Sequence, residues 1–201
     1  IREDITINAG GLVYVNGGTL EIHGGTLAGG EIQPYKKGTT TYNGQGGNIY
    51  LTSSGTLNMY GGTVTGGMAR RNSDLPDAVP QGGNIYALNN AIVNIAGGTI
   101  TDGYSEQNGG NIYIAGATLN ISGGTVKNGY AMVSGGNICH QSGNALLTLC
   151  RVDDVDDLVI GGNLSHIWTS FWTNGPHSSM RARICLHNAS LIIISKMESL
   201  S

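Results

Sequence analysis

The chain has 201 residues and a formal net charge of −3, with 34 glycines, 39% hydrophobic residues and a single phenylalanine. Only 11% of the residues are charged and no basic cluster is interleaved with aromatic residues, which argues against nucleic-acid binding. The glycines lack the period of collagen, and no apolar run approaches the ~18 residues of a membrane span. We therefore expect most of the chain to form one elongated domain, and we expect no membrane span.

The N-terminal residues already have the pattern of a strand, because Ile5 and Ile7 alternate with polar residues. No methionine or leader precedes them, so we expect the chain to be part of a longer protein. From residue 10 onward a Gly-Gly pair opens each unit of a repeat, with spacings of 36, 36, 27, 26 and 26 residues. The pairs begin at Gly10, Gly46, Gly82, Gly109, Gly135 and Gly161. A period in this range indicates a solenoid, whose units bury their apolar faces by stacking.

Each unit contains three short segments in which apolar residues occupy every second position. The first segments are 13–15, 49–51, 85–87 and 112–114, the second are 20–22, 57–59, 93–95 and 119–121, and the third are 26–27, 63–64, 99–100 and 125–126. A period of two predicts strands rather than helices. Three strands in a coil of about 26 residues predict an all-β parallel β-helix of about five to six coils over residues 1–162.

Two insertions, residues 31–45 and 69–81, lengthen the first two full coils by about ten residues each. Both follow a third strand, so they are expected to emerge at one corner of adjacent coils, where acidic residues would accompany four basic ones. The basic residues are Lys36, Lys37, Arg70 and Arg71, and the acidic residues are Glu31, Asp74 and Asp77. Loops on solenoids often carry the binding function, whereas solvated loops of mixed charge are the alternative interpretation.

Tyrosine occupies the middle position of the first strand in four coils, at Tyr14, Tyr50, Tyr86 and Tyr113. Equivalent residues of stacked strands lie about 4.8 Å apart, so these side chains are expected to form an outward ladder. An exposed row of aromatic rings offers apolar area and hydroxyl groups to a polysaccharide. Aromatic residues also stack across strands for stability alone, so a purely structural ladder is the alternative.

Asparagine forms two further rows, one after the Gly-Gly pairs and one in the second strands. The rows are Asn48, Asn84, Asn111, Asn137 and Asn163, and Asn58, Asn94 and Asn120. Stacked amides hydrogen-bond along the axis, and asparagine tolerates the left-handed backbone of a corner. Both rows are therefore expected to be structural.

Candidate catalytic and metal-binding groups are sparse. The outward acids of the coils are almost confined to Glu21 and Asp102 on different coils, whereas glycoside hydrolysis needs two carboxyl groups about 5 to 9.5 Å apart. The acidic run at 153–157 lacks the ligand spacing of a calcium loop, and the three cysteines lack the spacing of a zinc site. We expect no catalytic residue, no metal site and no cofactor.

The C-terminal residues 163–201 abandon the repeat and contain one glycine and both tryptophans. Three alternatives remain open for this tail. The first is a cap in which Trp168, Phe171 and Trp172 cover the last coil. The second is a separate or disordered segment, and the third is the product of a shifted reading frame.

The Gly-Gly-Asn-Ile unit at 46–49 and its copies resemble the glycine-rich repeats of bacterial surface proteins and adhesins. Residues 10–162 resemble right-handed parallel β-helix proteins, a fold that pectate lyases share with autotransporter passengers. The resemblance implies an extracellular or cell-surface location and a non-catalytic role in adhesion, with polysaccharides or surface glycans as partners. A structural spacer fits the same features. The alternative function is that of a polysaccharide lyase or glycoside hydrolase of the pectate-lyase-like fold.

Overall fold

The computed structural model describes residues 10–141 and, as backbone strands alone, residues 146–149, 159–161 and 183–185. Within these residues all regular structure is β-strand. Strands of successive coils pair in parallel and in register, so the chain folds as the predicted right-handed parallel β-helix. The register repeats the spacing of the sequence, since Ile49 pairs with Ile85 and Ile85 with Ile112.

Three sheets run along the solenoid, one for each predicted strand of the coil. The first sheet contains β1 (Val13–Asn16), β7 (Ile49–Thr52), β11 (Ile85–Leu88), β15 (Ile112–Ala115) and β19 (Ile138–Gln141). The second contains β2 (Thr19–Ile22), β8 (Thr56–Met59), β12 (Ile92–Ile95), β16 (Thr118–Ile121) and β20 (Leu146–Leu149). The third contains β3 (Thr26–Ala28), β9 (Thr63–Thr65), β13 (Thr99–Thr101), β17 (Thr125–Lys127), β21 (Val159–Gly161) and β22 (Arg183–Cys185).

A fourth sheet of two-residue strands follows the third in each coil. Its members are β4 (Glu31–Ile32), β10 (Met68–Ala69), β14 (Tyr104–Ser105) and β18 (Tyr130–Ala131). The sequence pattern did not reveal these strands, because two residues are too few to display a period. The fourth sheet also contains the first residues of both insertions, which then leave the solenoid, and the first insertion forms the antiparallel hairpin of β5 (Tyr35–Lys37) and β6 (Thr40–Tyr42).

The core consists of aliphatic columns that alternate with outward residues along each strand. Ile49, Ile85, Ile112 and Ile138 form one column in the first sheet, and each is at most 1% exposed. Full burial of such a side chain stabilises the fold by about 1.5–3 kcal/mol. No coil buries these residues alone, so the apolar columns join the coils into one structure.

The asparagine row that follows the Gly-Gly pairs, which we call the inner ladder, is buried at the corner where each coil begins. The row in the second strands is called the outer ladder. Asn84 donates from Nδ2 to Asn111 Oδ1 at 2.7 Å and to the carbonyl oxygen of Thr101 at 2.8 Å. Its Oδ1 accepts from Asn48 Nδ2 at 2.7 Å and from the backbone N–H of Gly67 at 2.8 Å. The predicted hydrogen bonding along the axis is confirmed from Asn48 to Asn137, and the amides also satisfy backbone groups that the corner removes from the sheets.

Glycine is required at the same corner because successive coils approach closely there. A Cβ on Gly83 would lie 2.1 Å from the carbonyl oxygen of Gly110 and 2.5 Å from the backbone nitrogen of Tyr104. A side chain at this position would force the coils apart.

Three predicted features lie wholly or largely outside the described residues. They are the N-terminal strand pattern at 5–7, the acidic run at 153–157 and the atypical tail 163–201, which begins with Asn163 of the predicted asparagine row. Within the tail, the backbone of β22 is described, and it pairs in parallel with β21 in the third sheet.

Candidate functional site

The four tyrosines of the first strands form the predicted ladder. Their rings stack along the axis with centroid separations of 5.4, 5.2 and 5.2 Å, in the order Tyr14, Tyr50, Tyr86 and Tyr113. The interplanar angle falls to 5° between Tyr86 and Tyr113. The regular spacing follows from the register, which places each tyrosine beside its equivalent in the next coil.

The exposure expected for this ladder is wrong for its inner members. Tyr14 is 50% exposed, whereas Tyr86 and Tyr113 are 5% and 2% exposed. In-register stacking turns the ring faces towards one another, so the inner rings have no free face for a sugar. Their hydroxyl groups are also engaged, Tyr86 with the Gln45 side chain and Tyr113 with Gln81 and Gln141.

The electrostatics of the inner tyrosines match their burial. Burial, followed by the neighbouring Cys139, raises the pKa of Tyr113 from 10.0 to about 12. Burial and the adjacent phenols of Tyr113 and Tyr50 raise the pKa of Tyr86 further. Both phenols stay protonated at neutral pH and act as packed hydrogen-bonding groups.

The two insertions meet on the outside of the solenoid and are tied by hydrogen bonds between them. Asn72 of the second insertion donates from Nδ2 to the carbonyl oxygen of Pro34 in the first, at 3.0 Å. Asn43 Oδ1 in the first accepts from the backbone N–H of Val79 in the second, at 3.4 Å. The hairpin of the first insertion is further supported by the stacked rings of Tyr35 and Tyr42, 4.9 Å apart.

A cleft of about 260 Å³ opens between the insertions, and we call it the inter-loop cleft. It is lined by Lys36, Thr41, Asn43, Asp74, Leu75, Pro76, Asp77 and Ala78. The structure thus brings Lys36 together with both predicted aspartates. The walls present an ammonium group, carboxylates, an amide and a hydroxyl group around a small apolar area, which is the mixture that fixes a polar ligand in one orientation.

The other three predicted basic residues do not line the cleft. Lys37 is exposed on β5 and does not line the cleft. Arg70 forms an ion pair with Glu31 at 3.3 Å and places its guanidinium 5.8 Å from the centroid of the Tyr104 ring. The backbone of Arg71 donates to a Glu106 carboxylate oxygen at 2.8 Å. Lys36 is therefore the member of the predicted basic set that lines the cleft, and Arg70 pairs with Glu31, one of the acidic residues expected beside it.

The sequence did not reveal an aromatic pair on the fourth sheet. Tyr104 and Tyr130 stack with ring centroids 5.7 Å apart, and Tyr130 is 58% exposed. Burial raises the pKa of Tyr104, and the nearby Glu106 carboxylate adds to the shift. The available signal was a Gly-Tyr step two residues beyond the third strand, at 103–104 and 129–130.

Within the described residues, no three His, Cys, Asp or Glu side chains are arranged to hold a metal ion. The same part of the chain contains no helix long and apolar enough to cross a membrane. Comparison of the chain with known protein families, curated proteins and solved structures gives no match.

Proposed function

We propose that this chain is a non-catalytic, glycan-contacting segment of a larger bacterial secreted or cell-surface β-helix protein. The observation that carries the proposal is the inter-loop cleft, because polar and charged side chains from both insertions surround a concave surface there. Solenoid proteins commonly bind their partners on extended surfaces built from stacked repeats.

The chemistry of the cleft suits a sugar. Thr41 and Asn43 offer hydroxyl and amide groups, Asp74 accepts hydrogen bonds from sugar hydroxyls, and Leu75 and Pro76 contribute apolar area. A volume of about 260 Å³ is close to the lower limit of roughly 300 Å³ for small-molecule sites. We therefore expect contact with one sugar unit of a glycan rather than enclosure of a longer segment.

The tie between the insertions supports recognition, because a preformed site loses less conformational entropy on binding. Asn43 contributes directly to this arrangement, since it lines the cleft and accepts from the Val79 backbone. The ligand would meet walls already held together by hydrogen bonds.

A glycoside hydrolase or polysaccharide lyase remains the second candidate, and one observation favours it. Asp74 and Asp77 line the same cleft, and hydrolysis of a glycosidic bond requires a pair of carboxyl groups. The sequence showed no such pair within the coils, but the second insertion places two aspartates in the cleft.

The test is a glycan array followed by polysaccharide pull-down with the whole chain and two matched lysine variants. Lys36→Ala removes the cation that lines the cleft, and Lys37→Ala removes its exposed neighbour. We expect at least a tenfold loss of affinity for Lys36→Ala, about 1.4 kcal/mol, and a change below threefold for Lys37→Ala.

The outcomes separate the three functions. Equal effects of the two substitutions would contradict recognition at the cleft, and no binding by the parent chain would favour a structural spacer. Release of reducing ends or unsaturated products, lost in Asp74→Asn and Asp77→Asn, would establish the enzyme instead.

A further inference from the structure

The described residues contain four Asn-Gly steps, a sequence prone to spontaneous deamidation. They are Asn16–Gly17, Asn43–Gly44, Asn108–Gly109 and Asn128–Gly129. In this reaction the glycine nitrogen attacks the asparagine Cγ, loses its proton and expels the side-chain amide as ammonia. Water then opens the cyclic imide to aspartate or isoaspartate, so the step needs no oxidant or reductant.

Three of the four glycine nitrogens are engaged by the solenoid. Gly17 donates to the carbonyl oxygen of Thr52 at 3.2 Å, and Gly109 donates to that of Ser134 at 3.0 Å. Gly129 donates to Asn137 Oδ1 in the inner ladder at 2.7 Å. Attack at these steps first requires a hydrogen bond between coils to break, which protects them in the folded chain.

The fourth step is different. The part of the chain that the structure describes gives the Gly44 N–H no hydrogen-bond acceptor. Asn43 is exposed, and its Oδ1 accepts from the Val79 N–H at 3.4 Å. A backbone donor beside this oxygen favours the negative charge that develops there during attack.

The fold also requires glycine at position 44, which is the residue that makes the Asn-Gly step prone to deamidation. Gly44 has a φ of +65°, and a Cβ there would lie 2.6 Å from the carbonyl carbon of Gln33. A bulkier residue, which would slow the attack, is therefore excluded by backbone geometry.

We propose that Asn43 is a site of spontaneous deamidation that alters the charge of the inter-loop cleft. Among the lining residues of the cleft, the product places a third carboxylate with Asp74 and Asp77 and leaves Lys36 as their one cation. Isoaspartate additionally lengthens the backbone by one atom at the contact with Val79. Deamidation requires no ligand, so the test of this proposal does not depend on glycan binding.

The test compares the four steps within one molecule. The whole chain is incubated in mildly alkaline buffer, folded or in urea, and peptide mass spectrometry follows amide-to-acid conversion and isoaspartate at each step. In the folded chain we expect conversion at Asn43 to be at least about tenfold faster than at the other three, and in urea the four rates should converge.

Asn43→Gln is the control variant, because it keeps an amide and should abolish conversion at 43 without changing the other three rates. Folded-state conversion at Asn43 that is no faster than at Asn16, Asn108 or Asn128 would overturn the proposal. A preference for Asn43 that persists unchanged in urea would also overturn it, since the local sequence rather than the fold would then set the rate.

Discussion

Replacement of Asn84 by alanine tests whether the inner asparagine ladder holds the coils together. The side chain is fully buried and takes part in four hydrogen bonds, two as donor and two as acceptor. Alanine would remove all four bonds. The Gly67 N–H would lose its acceptor, whereas Asn48 Nδ2, Thr101 C=O and Asn111 Oδ1 would each lose one of two partners. At about 1 kcal/mol for each of the four lost hydrogen bonds, the expected loss is about 4 kcal/mol.

The outer ladder provides a matched control on the same coil. Asn94 is half-buried and has two ladder bonds, to Asn58 and from Asn120, both of 2.8 Å. Water can replace these partners, so Asn94→Ala should cost about 1 kcal/mol. Both losses are measured by denaturant titration followed by circular dichroism.

The comparison is decisive because a typical domain is stable by only about 5–15 kcal/mol. A loss of 4 kcal/mol should move the midpoint strongly, and the slope of the transition shows whether the coils still unfold together. A difference below about 1 kcal/mol between Asn84→Ala and Asn94→Ala would refute the reasoning, because water would then satisfy the buried corner as well as it satisfies the surface.

The remaining predictions concern the corner and the tyrosines. Gly83→Ala should destabilise the chain by about 2 kcal/mol or more, because its Cβ would lie 2.1 Å from the Gly110 carbonyl oxygen. Gly24→Ala is its control, since a Cβ there meets nothing within 4 Å, and equal falls in thermal midpoint would contradict the steric argument. Because the pKa of Tyr113 is raised from 10.0 to about 12, its stabilising contribution is complete below pH 10 and lost as the pH rises towards 12. Absorbance titration should show one late-titrating phenol fewer in Tyr113→Phe, and an unchanged curve would refute the assignment.

Part of the candidate site was predictable from repeat alignment alone. Insertions at the same position of adjacent coils must emerge side by side, which brought Lys36, Asp74 and Asp77 to one cleft. Arg70 does not line that cleft, because its side chain pairs with Glu31, one of the acidic residues expected at this corner, and lies over the Tyr104 ring. Position in a coil fixes where a backbone emerges, whereas side-chain partners beyond it depend on packing.

For the tyrosine ladder, the sequence pattern predicted the position of the side chains but not their burial. Alternation along the strand correctly placed Tyr86 and Tyr113 outside the aliphatic core and in register. It did not predict their burial, which arises because neighbouring rings cover their faces and glutamines from other coils bind their hydroxyl groups.

The sequence by itself determined the coil, because alternation of apolar residues, paired glycines and repeated asparagines all act within one coil and its copy. Their period set strand type, register and both amide ladders. Only the tertiary structure decided the fourth sheet, the buried state of the inner tyrosines and the cleft between the insertions. These features depend on contacts between irregular segments that have no period, and so they follow from how the coils pack rather than from any one of them.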